Sequence, residues 1–154
     1  MLLAAFGLFL LTARVLAVQA QPPWLGIWTL NAAKSSAGSS SRYKKVTFRI
    51  QATTDNGLKV IYEMVGKRGG TTHMEWTGKF DGKDYAIQGA DYVLTNAYSM
   101  LDDHSYAIVV KVDDAIVART KVVVSPEGQT LTTVTTETNV KGQTVPTTAV
   151  YDKL

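Results

Sequence analysis

The sequence predicts an all-β protein: an antiparallel up-and-down β-barrel of about ten strands, with a two-sheet β-sandwich as the alternative. Three observations predict it. Apolar and polar residues alternate with period two through most of the chain after residue 45, which is the pattern of half-buried strands. Turn residues break these runs at 8–14-residue spacing. No segment after residue 20 carries a helical period. Links this short force antiparallel neighbours, because a parallel crossover needs a dozen residues or more. Ten twisted strands in a meander leave two unprotected edges, and closure into a barrel removes both.

The first twenty residues differ from the rest. Leu2 to Leu11 is an apolar, uncharged run, and Val18-Gln19-Ala20 follows with small residues at the right spacing for signal peptidase. We expect residues 1–20 to be a secretory signal peptide cut after Ala20, leaving 21–154 as one barrel domain. Arg14 lies behind the apolar run instead of ahead of it, so an uncleaved anchor is the alternative. Against an anchor, Arg14 interrupts the run, which falls short of the ~20 residues a spanning helix needs. The expected address is secreted or periplasmic, with no stable membrane insertion after cleavage.

The remaining elements follow in order. Gly26-Ile27-Trp28-Thr29-Leu30 opens the strand series, and the small polar stretch 32–41 connects it to the next. Val46, Phe48 and Ile50 alternate with Lys45, Thr47 and Arg49. Asp55-Asn56-Gly57 turns the chain into Leu58, Val60, Tyr62 and Met64, and residues 66–70 turn it into Thr72, Met74, Trp76 and Phe80. Asp81-Gly82 reads as a hairpin turn, since both residues tolerate positive φ. Tyr85 and Ile87 follow, then a strand from Tyr92 to Ser99. Asp102-Asp103, Asp113-Asp114, Pro126-Glu127-Gly128 and Lys141-Gly142 separate the last four strands. Thr recurs along 130–138, where we expect it to form a soluble outer face.

Gly26 and Trp28 on a first strand, followed by a meander of this length, resemble the lipocalin and fatty-acid-binding-protein superfamily. The chain is also similar to a group of small secreted bacterial lipocalin-like proteins. These carry a GxWxLNxxKS stretch, here Gly26, Trp28, Leu30, Asn31, Lys34 and Ser35, a DGKxY stretch at Asp81 to Tyr85, and a terminal VY-acid-K at Val150 to Lys153. The resemblance implies a calycin-type barrel whose bottom is closed by Gly26 and Trp28. It also implies a cation over the Trp ring, for which Lys153 and Arg119 are the candidates. Departures are plain. There is no cysteine for a lipocalin disulfide, and the 32–41 segment is too short for the helix pair of fatty-acid-binding proteins.

A barrel of this size can leave an interior cavity for a small ligand. Alternation places Val46, Ile50, Phe80 and Val110 inside with Phe48, Tyr62, Met64, Met74, Trp76, Tyr85 and Ile108, and the last seven are the candidate ligand-binding residues. Tyr62 and Tyr85 are the candidates for a hydrogen bond to the ligand. The expected function is a secreted binding or carrier protein for a small apolar molecule or lipid. One alternative is an envelope structural or interaction protein with a filled barrel. The other is a lyase or isomerase using His73 and Glu75. Those two residues sit two apart on one strand face, about 7 Å apart, where a His and a carboxylate could do general acid–base work. Their face is the polar one, with Thr77 and Lys79, so the enzyme reading needs the opposite register.

Composition excludes several classes. With no cysteine, a thiol nucleophile and a Cys-based zinc site are ruled out. Asp102, Asp103 and His104 match no metal-ligand spacing, and no cofactor or metal is expected. Net charge is +3, falling to +2 without Arg14. The basic cluster at Arg42, Lys44, Lys45 and Arg49 reads as a charged outer strand face, and no nucleic-acid partner is expected.

Overall fold

A computed structural model of the chain describes residues 21–36, 43–138 and 143–154. The expected signal peptide, the later part of the 32–41 connection, Arg42 and the Lys141-Gly142 turn lie outside the described residues. Ten strands form: β1 (Gly26–Leu30), β2 (Tyr43–Ala52), β3 (Leu58–Gly66), β4 (Thr71–Gly78), β5 (Asp81–Gln88), β6 (Leu94–Asp102), β7 (Ser105–Val112), β8 (Ala115–Val124), β9 (Thr130–Thr138) and β10 (Thr144–Lys153). Each pairs antiparallel with its sequence neighbours, and β1 pairs with both β2 and β10, so the sheet closes. This is the barrel and not the sandwich.

Local chemistry explains the tight reversals. Asp113 and Asp114 both adopt positive φ, 47° and 65°, as a two-residue hairpin whose twist matches its strands requires. In the β2–β3 turn, Asn56 takes φ 61°, and the Gly57 amide donates to Thr53 Oγ1 at 3.0 Å.

Two readings need correction. Asp81-Gly82 is not the tip of a hairpin; it begins β5, where a register irregularity falls between Asp81 and Asp84. The Asp81 carboxylate accepts from the Lys83 amide at 3.1 Å and the Tyr85 hydroxyl at 2.9 Å. That local loop accounts for the Asp-Gly-Lys-x-Tyr spacing. Tyr92, placed in a strand by alternation, sits with Val93 in the exposed connection before β6. The β4–β5 seam is held by just two residue pairs, Glu75–Gln88 and Trp76–Ile87.

One end of the barrel is filled. Trp28 is fully buried, and its indole N–H donates to the Trp24 carbonyl at 2.8 Å. Trp24 packs edge-on against Phe80 and Tyr106, while Val124 and Leu131 complete the plug. The register pairs Trp28 with Lys153, and Lys153 Nζ lies 5.1 Å from the centre of the Trp28 ring, within cation–π range. Lys153 is therefore the cation over the Trp; Arg119 is exposed on β8. Gly26 makes room for it, since a Cβ there would stand 2.7 Å from Lys153 Cε. Beside this plug, Asn31 donates to Asp152 at 2.6 Å and Lys34 bonds the same carboxylate at 3.1 Å. The Ser35 hydroxyl bridges the Asn31 carbonyl and the Val150 amide. The two motifs at opposite ends of the chain thus form one clasp across the β1–β10 seam.

Candidate functional site

Toward the other end the side chains no longer fill the barrel. They leave a cavity of about 330 Å³, at the small end of the range for ligand pockets. Its wall draws on nearly every strand, because successive inward residues on each strand are two apart. β2 and β3 contribute Phe48, Ile50, Val60 and Tyr62; β6 and β7 contribute Asn96, Tyr98, Tyr106 and Ile108; β9 contributes Leu131, Thr133 and Thr135. Tyr43, Met64 and Val110 lie farthest from the Trp28 plug, by their positions at the strand ends.

Of the seven expected ligand residues, Phe48, Tyr62, Met64, Met74 and Ile108 are on this wall. Trp76 and Tyr85 are not. Trp76 is fully buried behind Tyr98, with ring centres 3.9 Å apart and nearly parallel planes, and its N–H donates to the Asn96 carbonyl at 3.2 Å. Tyr85 packs its ring edge-on to Trp76 and turns its hydroxyl to Asp81. Phe80, also expected inside, belongs to the plug. Sequence reasoning missed Asn96, Tyr98, Tyr106, Tyr151 and the threonines. Parity held the signal: Leu94, Asn96 and Tyr98 share a face, as do Leu131, Thr133 and Thr135. The outer face of 130–138 does carry threonine, as at Thr136, but the inward face carries it too, at Thr133 and Thr135, and Val134 faces outward. The pairing of Leu131 with Tyr151 decides this.

The wall holds no Asp, Glu, Lys, Arg or His. Its ionisable groups are phenols. Burial raises the Tyr62 pKa, and a hydrogen bond with Tyr98 opposes the rise. Burial also pushes Tyr98 well above the usual phenol value, helped by the neighbouring Tyr62, and raises Tyr106. Tyr151 is pushed up to about 12, chiefly by burial. Tyr62 and Tyr151 are half-buried and line the cavity. All four are neutral at physiological pH. The Tyr62 and Tyr98 hydroxyls share a 3.0 Å hydrogen bond, and Thr120 and Thr135 share one of 2.9 Å. Asn96 Oδ1 is buried with no hydrogen-bond partner among the described residues, a condition that costs about 1–3 kcal/mol.

His73 and Glu75 lie on the outer face, away from this wall. His73 Nε2 is 3.2 Å from Glu75 Oε1, closer than backbone spacing implies because the two long side chains lean together. Glu75 also pairs with Lys59 at 2.7 Å, and hydrogen bonds from Lys59 and then His73 lower its pKa. The register that the enzyme alternative needs is not the one observed, since Trp76 faces inward between Glu75 and Thr77. Asp102 is engaged by the His104 amide at 2.8 Å and the Ser105 hydroxyl at 2.7 Å.

A closed ten-strand antiparallel barrel with a plugged end and an internal cavity is a lipocalin/fatty-acid-binding-protein-like, calycin-type fold. Among solved structures, the wild-type fluorescent protein UnaG superposes with a TM-score of 0.58 at 12% identity, covering 85% of this chain and 97% of UnaG. At that identity the likeness is one of fold. No protein-family model and no curated protein matches the sequence.

Proposed function

We propose that the protein is a secreted binding or carrier protein for a small, uncharged, apolar molecule held inside the barrel. The observation that carries this reading is the 330 Å³ cavity whose wall is apolar and phenolic and bears no formal charge. A charged ligand would give up its hydration there and find no counter-ion, which is a large cost. The wall also lacks any group that titrates near neutral pH, so it supports holding a ligand better than acid–base chemistry. Secretion rests on the apolar leader and the small residues at Val18 and Ala20.

Native mass spectrometry of protein purified without delipidation tests the binding reading. The expected result is a discrete added mass that disappears in Ile108→Trp, a substitution that fills the cavity. A bare mass, together with failure to bind any uncharged apolar probe, would overturn it in favour of a structural or interaction role. Amino-terminal sequencing of exported protein should begin at Gln21; export with the leader attached would refute cleavage.

A further inference from the structure

We propose that the ligand is an uncharged molecule carrying an N–H or O–H group, and that this group donates its hydrogen bond to Asn96 Oδ1. This deepens the carrier reading and rests on it. Asn96 is 5% exposed and points into the cavity from β6. Its backbone is pinned by the Trp76 indole, which donates to the Asn96 carbonyl at 3.2 Å, so the side chain stands on a rigid strand and not a loop. Its Oδ1 has no partner among the described residues. Buried polar atoms are nearly always paired, so one left over on a cavity wall calls for a partner, and a donor group of the ligand would supply it.

Of the two polar atoms of the Asn96 amide, the oxygen is the buried one left without a partner among the described residues. A free acceptor asks for a donor. It selects against a carboxylate, which would set oxygen against oxygen where the wall has no cation.

Three probes with one ring system separate these features: 2-naphthol, which donates; 2-methoxynaphthalene, which cannot; and 2-naphthoate, which is charged. Calorimetric titration of the purified protein at neutral pH should show 2-naphthol binding at least tenfold tighter than 2-methoxynaphthalene, and no binding of 2-naphthoate. In Asn96→Leu the preference should vanish, with 2-naphthol weakened and 2-methoxynaphthalene held or improved. The wild-type comparison needs no variant, so the test survives if Asn96→Leu folds poorly. Equal binding of 2-naphthol and 2-methoxynaphthalene to wild type would overturn this inference, showing Asn96 to be satisfied by water, while leaving the carrier reading in place. A preference that persists in a folded Asn96→Leu would also overturn it. Binding of none of the three would remove both readings together.

Discussion

Raising the pH should unfold this protein through its own cavity wall. In an unfolded chain a phenol ionises near pH 10. In the folded barrel, burial raises Tyr98 and Tyr106 above that value and brings Tyr151 to about 12. Below pH 10 both states hold these protons, and stability does not depend on them. Above pH 10 the unfolded chain releases protons that the folded chain keeps, so stability falls as pH rises. Each such phenol removes about 1.4 kcal/mol per pH unit, and three together remove about 4. The share from Tyr151 stops growing at about 2.7 kcal/mol, once the pH passes its folded value. A barrel with about 5 kcal/mol of stability at neutral pH should unfold a little over one unit above pH 10. Circular dichroism and phenolate absorbance, followed on one sample, should show a cooperative loss of sheet coinciding with a step in tyrosine ionisation. Tyr106→Phe, which removes one of the three protons, should move the midpoint upward. If all seven tyrosines ionised smoothly about pH 10 with the sheet intact, the wall would be open to water and the reasoning wrong.

Four further outcomes are expected. Trp28→Ala should cost about 3–5 kcal/mol in urea unfolding, since the fully buried indole fills the plug; a loss below about 1 kcal/mol would mean that the plug is not where the barrel closes. Gly89→Ala should be far worse than Gly128→Ala, although both sit at positive φ, because a Cβ at Gly89 would collide with the His73 carbonyl oxygen while Gly128 has open space; similar stabilities would refute the close approach. Replacing His73 and Glu75 together by Ala should leave stability nearly unchanged, as for exposed ion pairs, and probe affinity within about twofold; abolished binding would mean that β4 shows its other face to the cavity. Hydrogen bonds from Asn31 and then Lys34 lower the Asp152 pKa. The clasp should therefore stabilise the fold above the unfolded carboxylate pKa and fade as pH falls through the depressed folded one. Asp152→Asn should flatten that acid limb in urea titrations against pH, and an unchanged slope would argue that the clasp contributes nothing.

Much of the barrel was legible because strand physics is local. Val46, Phe48 and Ile50 share a face whatever surrounds them, since side chains alternate along any strand, and Asp113-Asp114 turns the chain by its own backbone preference. The parts that were not legible depend on contacts that alternation does not encode, some local and some across the barrel. Tyr85 has the parity of an inward residue, but Asp81 draws its hydroxyl away. Val134 is apolar and faces outward because β9 takes its register from β10. Asp81-Gly82 has the composition of a hairpin tip and the position of a strand start.

Strand number, the antiparallel meander and the apolar character of the interior were readable from the chain alone. These follow from period-two patterning and short links, which act within a few residues. Tertiary structure decided which cation covers Trp28, how deep each inward residue lies, and that a cavity remains. Lys153 meets Trp28 because the last strand closes on the first. Trp76 lies behind Tyr98 while Met74, two residues earlier, reaches the wall. The unpartnered oxygen of Asn96 likewise exists only once all ten strands are in register, because hydrogen-bond satisfaction is a property of the closed wall and not of any segment in it.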